Sequence, residues 1–410
     1  MRLLIIGNGV AGVTTARYVA ERDPSIEIGL YSREPYAYYP RPRLIDFVAG
    51  KLPLEELPQY DAAWYQQRHI DVQLGRKVTA LDPGERCITL ADGSQERYDR
   101  LVLATGARPW VPPIPGADRD GVHTLRTLED AVALCREARQ GAPILILGGG
   151  LLGLDTALAL RSYGVDVTVV EALPWLLPRQ LDREGAGLLQ QVCEARGVRI
   201  ITGDLCAEIQ GNGHVQGARL KSGAPLQAGV VLVSAGVQPK IDLAQAAGLA
   251  CNRGIVVDAR MQTSDPCIYA VGDAAEFGGR VWGIIPAALA QARVAAAQIT
   301  GHTETVYREI VPSTTLQVTG IALTSLGEVN PEGGDYREVR YLDEANCIYK
   351  KLVIRENKVV GAILLGDRSD LAAVNQLVSR GLGVSGVAER LLEPGFDLAA
   401  FVREHGARVR

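Results

Sequence analysis

Leu3-Leu4-Ile5-Ile6-Gly7-Asn8-Gly9-Val10-Ala11-Gly12 decides how this chain folds. Four consecutive apolar residues suit a strand buried on both faces, as in a parallel sheet. The glycines after it are spaced G-x-G-x-x-G. Gly7 permits the tight turn, Gly9 lets backbone approach a pyrophosphate, and Gly12 lets helix and strand pack closely. A helix expected over Val10–Ala20 points its first N–H groups and the positive end of its dipole at that anion. The phrase returns as Ile144-Leu145-Ile146-Leu147-Gly148-Gly149-Gly150-Leu151-Leu152-Gly153, at a constant offset of 141 residues. One such pattern is a weak signal; two, each between a strand and an amphipathic helix, are a strong one.

A second phrase is also repeated, in the same order. Leu101-Val102-Leu103-Ala104-Thr105-Gly106 precedes Ala107-Arg108-Pro109, and Val231-Leu232-Val233-Ser234-Ala235-Gly236 precedes Val237-Gln238-Pro239, 130 residues on. The chain thus reads as α/β, with two Rossmann-like dinucleotide-binding units. In the first, strands are expected near Leu3–Ile6, Ile26–Tyr31 and Leu101–Ala104. In the second they are expected near Ile144–Leu147, Val167–Glu171 and Val230–Ser234, with helices near Leu151–Ser162 and Arg183–Arg196. Pro109-Trp110-Val111-Pro112-Pro113-Ile114-Pro115-Gly116 cannot be helix and suits a crossing between units. From about Val311 the texture changes to five short strands and two helical stretches, near Asp370–Ser379 and Val387–Leu392. Gly333-Gly334 and Glu356-Asn357 supply turns there. This third unit reads as α+β and carries no catalytic motif.

Composition bounds the rest. The 410 residues include 43 Lys plus Arg and 47 Asp plus Glu, a formal charge of −4 that excludes broad nucleic-acid binding by composition. No apolar run reaches the roughly 18–20 residues of a membrane span. The opening run of four apolar residues is shorter than the roughly 7–15 of a signal-peptide core. Seven dispersed cysteines (Cys87, Cys135, Cys193, Cys206, Cys251, Cys267, Cys347) form no C-x-x-C. They suit neither a secreted disulfide framework nor a zinc site, and make the reducing cytoplasm the expected compartment. His69, His123, His214, His302 and His405 show no metal-ligand spacing, so no metal is expected.

Which dinucleotide goes where depends on the end of the strand after each loop. Val169-Val170-Glu171 ends a strand 18 residues past Gly153. A carboxylate there can accept ribose hydroxyls and repels a 2′-phosphate. No arginine precedes Arg179 after it, which favours NADH over NADPH. In the first unit the comparable position is Ser32, with Arg33 and Glu34 next; Glu34 takes the ribose if the strand ends later, or Ser32 and Arg33 contact ribose and adenine. Tyr269-Ala270-Val271-Gly272-Asp273 matches a second FAD fingerprint, whose Asp bonds the ribitol chain. The alternative role for Asp273 is capping the next helix.

These five ordered motifs resemble the FAD-dependent pyridine nucleotide oxidoreductases with two dinucleotide-binding domains. Three softer stretches are similar to NADH:rubredoxin oxidoreductases and the flavin-binding part of NADH-dependent nitrite reductases: Tyr38-Tyr39-Pro40-Arg41-Pro42-Arg43-Leu44, Gly272-Asp273-Ala274-Ala275-Glu276-Phe277 and Val360-Gly361-Ala362-Ile363-Leu364-Leu365-Gly366-Asp367. The resemblance implies an FAD domain over 1–108 and 240–310, an NAD(H) domain over 109–239 and a C-terminal interface domain over 311–410. A homodimer is compatible with it. Beside FAD it implies Gly7, Gly9, Val10, Ala11, Gly12, Ser32, Arg33, Glu34, Arg41, Pro42, Lys77, Val78, Ala104, Thr105, Gly106, Arg108, Gly272, Asp273, Ile285 and Ala287. Beside NAD it implies Gly148, Gly150, Leu151, Leu152, Gly153, Asp155, Glu171, Ala235 and Gly236. Arg41, Pro42, Asp155, Trp282 and Pro286 would form the flavin and nicotinamide surroundings, with Pro286 in the first turn of a helix aimed at the flavin. For Tyr36, Tyr38 and Tyr39 the alternative is simple packing.

The region from Tyr31 to Lys51, where disulfide reductases of this family carry their reactive cysteine, contains none. A thiolate relay is therefore not expected. The expected reaction is hydride transfer from NADH to FAD, then departure of electrons to a small carrier protein such as rubredoxin or ferredoxin. The alternatives are a partner reductase of the nitrite-reductase kind, oxygen, or a redox-sensing flavoprotein. The chain has no cysteine cluster for siroheme and iron–sulfur binding, so it would not reduce nitrite alone.

Overall fold

A computed structural model describes residues 1–309, 313–318 and 320–406. The chain divides into two compact units: Met1–Trp110 with Arg126–Leu128 and Val237–Ile310, and Val111–Leu125 with Glu129–Gly236 and Val311–Arg410. The C-terminal stretch thus clusters with the second dinucleotide-binding unit.

In the first unit five strands lie parallel in the order Ile268–Ala270, Arg100–Leu103, Arg2–Ile6, Glu27–Tyr31, Ile70–Gln73. Leu3, Leu4 and Ile5 are fully buried, because helices or loops cover both faces and a polar residue would be left without water. In the second unit the order is Val198–Thr202, Val167–Glu171, Ile144–Leu147, Val230–Val233, Val122–His123, again all parallel. Each glycine-loop strand is central in its sheet, so each loop leaves the carboxyl edge at the point where strand order reverses, the usual ligand position in such sheets. The expected helices form as Val10–Arg22, Leu151–Arg161 and Arg183–Ala195.

Each unit also carries a three-stranded antiparallel sheet that the apolar pattern does not announce. One is Val78–Asp82, Cys87–Leu90 and Gln95–Arg97; the other is Cys206–Asn212, His214–Leu220 and Pro225–Gln227. Their strands are short and largely polar on one face, so alternation is weak, and only turns such as Asp92-Gly93 mark them.

The third sheet is antiparallel, ordered Ser313–Val318, Ile321–Gly327, Lys358–Leu365, Ile348–Arg355, Arg337–Asp343. Leu352 and Leu364 pack on Val374 and Leu377 of the helix Leu371–Arg380. Glu356 and Asn357 both adopt positive φ in the turn between two of its strands. The helix expected over Val387–Leu392 is only a 3-10 turn, Ala388–Arg390, and an unforeseen helix, Leu398–Gly406, closes the described chain. Val384, Ala388, Leu391 and Leu392 are instead buried from an irregular segment, hemmed in by Gly386 and Pro394-Gly395, which disfavour a longer helix.

Successive strand residues face opposite sides, and here both sides hold a buried lysine. Lys350 pairs with Asp367 at 2.6 Å and Asp370 at 2.7 Å. Lys351, 2% exposed, pairs with Asp182 at 3.0 Å and Glu338 at 2.9 Å. Asp182 also accepts from Tyr349 Oη at 2.6 Å and caps the helix Arg183–Ala195 through Gly185 N at 3.0 Å. Burial alone would raise the Asp182 carboxyl, but the Tyr349 hydroxyl, the Gly185 amide and the Lys351 ammonium together hold it below its ordinary range.

Candidate dinucleotide-binding sites

The two glycine loops are one construction built twice. Gly7 N donates to Tyr31 O and Gly148 N to Val170 O, both at 2.8 Å. The first glycine has φ of 117° in one loop and 120° in the other. A Cβ on Gly7 would stand 2.1 Å from Ala104 O, and one on Gly148 2.3 Å from Ser234 O; on Gly12 it would stand 1.8 Å from Gly7 O, and on Gly153 2.1 Å from Gly148 O. At Gly9 and Gly150 nothing lies within 4 Å of that position. The outer glycines are thus demanded by the chain itself, whereas the middle ones leave open space before a helix N-terminus. Both helices start from an extended glycine with no side-chain cap and no acid in the first turn, so their end N–H groups remain available to a diphosphate.

Gly272-Asp273 is set against the first loop. Gly272 has φ of 75°, donates to Gln291 Oε1 at 2.8 Å, and would place a Cβ 2.8 Å from Ala11 Cβ and 3.9 Å from Ala288 Cβ. Asp273 therefore follows a turn wedged at the N-terminal ends of two helices, Val10–Arg22 and Ile285–Ile299. Pro286 sits in the first turn of the latter; Trp282 lies in the loop before it, with a buried Nε1 that has no hydrogen-bond partner among the described residues. Ile285 is exposed and Ala287 buried.

A charged network surrounds that turn. Arg126 Nη2 donates to Asp273 Oδ2 at 2.7 Å, and Arg126 O accepts from Arg41 Nη1 at 2.7 Å. Arg41 pairs with Glu34, whose carboxylate also accepts from the Tyr39 hydroxyl. That hydroxyl in turn accepts from Leu128 N at 3.0 Å. Burial would raise Glu34, but Arg41 and Tyr39 outweigh it and hold the carboxyl low, while burial pushes the Tyr39 phenol up. Glu34 is thus engaged by Arg41 and Tyr39; beside it Ser32 is buried, its Oγ donating to Glu34 O at 3.0 Å, and Arg33 is exposed. Tyr38 packs against Tyr60 with ring centroids 5.5 Å apart, and Tyr60 stacks on Trp64 at 3.9 Å. Arg108 is exposed and pairs with Asp242 at 2.8 Å. Pro42 and Lys77 are exposed, Val78 half-buried.

In the second unit Glu171 is 9% exposed. Its Oε2 accepts from Gly149 N at 2.7 Å and its Oε1 from Leu173 N at 2.8 Å. Each carboxylate oxygen keeps a further lone pair, so Glu171 braces the loop and can still accept a ribose hydroxyl. Leu151 and Asp155 are half-buried on the helix behind the loop and Leu152 is exposed; Ala235 and Gly236 end the neighbouring phrase.

The model of the family described as "Pyridine nucleotide-disulphide oxidoreductase" matches residues 1–298. The chain belongs to this family. FAD and NADH are the cofactors that membership brings. A second model, "Rubredoxin NAD+ reductase C-terminal domain", matches residues 312–382 of this oxidoreductase. It is 33% identical over 395 residues to the nitrite reductase [NAD(P)H] of Bacillus subtilis (strain 168), covering 96% of this chain and 49% of that protein. It therefore spans about half the length of the first such relatives. It is 34% identical to the biphenyl dioxygenase system ferredoxin–NAD(+) reductase component of Paraburkholderia xenovorans (strain LB400), over 97% of both chains. Among solved structures it resembles the reductase in the covalent putidaredoxin reductase–putidaredoxin complex, with a TM-score of 0.89, 28% identity and 99% of both chains covered.

All seven cysteines of the oxidoreductase are unpaired. Burial pushes the Cys193 thiol up to about 12 and also raises Cys206 and Cys251, the opposite of what a reactive thiolate needs. Among the described residues no helix is long and apolar enough to cross a membrane.

One charged partner of Asp273 escapes the motif reading. Arg126 reaches Asp273 across 147 positions and stands in Leu125-Arg126-Thr127-Leu128, which has no pattern of its own.

Proposed function

We propose that this chain oxidises NADH and passes the electrons through FAD to a small electron-carrier protein of rubredoxin or ferredoxin type, with no redox-active disulfide between. FAD can accept two electrons together and release them singly, as a one-electron carrier requires. The observation that carries the reading is a pair of open diphosphate cradles in a chain whose cysteines are all unpaired. Residues 1–108 and 240–310 hold FAD, with Gly9 and the helix starting at Val10 taking the diphosphate and Asp273 accepting from the ribitol chain. Residues 109–239 hold NADH, with Gly150 as the cradle and Glu171 on the ribose; 311–410 form the interface domain. The unpaired cysteines suit work in the cytoplasm.

The match to half of a nitrite reductase favours a second reading, in which the chain feeds a partner reductase. An anaerobic acceptor screen separates the two. Rapid NADH-dependent reduction of rubredoxin or ferredoxin supports the first. Turnover only with viologen dyes or a partner enzyme supports the second. Slow flavin bleaching by NADH in stopped flow would sink both and leave a sensor.

Glu171→Gln keeps one good acceptor for the loop amides and removes the charge. KM for NADH should rise by about tenfold, a loss of ~1.4 kcal/mol, while KM for NADPH stays level or falls. An equal rise for both would mean that Glu171 only braces the loop.

A further inference from the structure

Lys240 is pinned against the wall of the first glycine loop. Its N–H donates to Gly106 O at 2.9 Å, and Thr105 Oγ1 donates to its carbonyl at 2.8 Å. Gly106 belongs to the Ala104-Thr105-Gly106 phrase that Gly7 touches, since a Cβ on Gly7 would strike Ala104 O at 2.1 Å and approach Thr105 N at 3.5 Å. The lysine is half-buried. Burial, and then the guanidinium groups of Arg33, Arg41 and Arg126, bring it down to about 8, with Glu34 opposing.

Arg41 pairs with Glu34 and Arg126 with Asp273. Among the described residues Lys240 enters no ion pair, although three guanidinium groups act on it. A half-buried ammonium among guanidinium groups is unfavourable in the free protein, because like charges at partial burial repel more strongly than in water. A diphosphate carries two negative charges and would lie before the helix N-terminus next to this wall.

We infer that Lys240 is a binding residue for the diphosphate of FAD, supplying positive charge that the pyrophosphate neutralises. This rests on the FAD reading of the first unit. It makes the contribution of Lys240 change sign with the cofactor: unfavourable without it, favourable with it.

The test uses full-length wild type, Lys240→Met, Lys240→Gln and Lys240→Arg, each stripped of flavin and titrated with FAD by fluorescence quenching. The Met and Gln variants should bind FAD at least about tenfold more weakly and with a shallower salt dependence, since one fewer cation is screened; Arg should restore both. The FAD-free Met variant should melt at or above the wild-type temperature, and the FAD-saturated one below it. A purely structural lysine would lower both. Wild-type affinity should fall as pH rises past 8, because the free ammonium loses its proton there while the bound one is held by the diphosphate. The Lys240→Arg protein should show no such fall. The charged groups that act on Lys240, three guanidinium groups and Glu34, do not mimic this: Glu34 is held low, and a guanidinium does not lose its proton near pH 8. Unchanged FAD affinity and salt slope in both neutral variants would overturn the assignment of Lys240 and leave the FAD reading standing. A wild-type apoprotein that takes up no FAD would overturn that reading itself.

Discussion

Gly12→Ala should purify colourless and lose about 3 kcal/mol of stability. The new methyl carbon would stand 1.8 Å from Gly7 O and 3.3 Å from Ala104 Cβ. The near atom is backbone, so no side chain can swing aside. Either the helix Val10–Arg22 lifts off the strand Arg2–Ile6 or the Gly7 turn opens, and each moves the N–H groups that would hold the diphosphate. Gly9→Ala is the control. Nothing lies within 4 Å of that position, and the extended backbone of Gly9 (φ −89°, ψ −176°) is open to alanine. Its unfolding curve should match wild type while its FAD affinity falls at least about tenfold, ~1.4 kcal/mol, because the methyl occupies the cradle. Denaturant titration and flavin retention read the two effects separately. A Gly12→Ala chain as yellow and as stable as wild type would refute the close-packing argument. Full affinity in Gly9→Ala would refute the placement of the diphosphate.

Lys351→Met should cost about 3–5 kcal/mol, the usual penalty for removing one partner of a buried ion pair. The substitution leaves Asp182 and Glu338 facing each other across the space of a 2%-exposed ammonium, and methionine fills the volume without answering either charge. Tyr349→Phe removes only one hydroxyl from Asp182 and should cost about 1 kcal/mol. Urea unfolding followed through Trp175, whose indole donates to Leu181 O at 3.2 Å beside this network, measures both. The deficit of Lys351→Met should shrink in acid. Asp182 and Glu338 titrate lower in the folded chain than in the unfolded one, so their contribution is present above about pH 4 and lost as pH falls through their folded values. A deficit of the same size at pH 7 and pH 3 would show that packing, not charge, sets it.

Much of the first site was legible because its requirements are local. A strand, a turn at positive φ and a helix packed on its own strand fit inside ten residues, and only glycine meets both outer positions. Local sequence was therefore enough to specify the two glycine-loop turns, their order, the Gly272-Asp273 turn and the parallel sheets behind them. The charge pattern around the cradles came into being only on folding. Glu34 meets Arg41 and Tyr39 only in the fold. Arg126 meets Asp273 across 147 positions, and Tyr349 meets Asp182 across 167. Counter-ions are matched by distance in space, and a lone Arg or Lys in a sequence carries no mark of the carboxylate, or the phosphate, that the fold will set beside it.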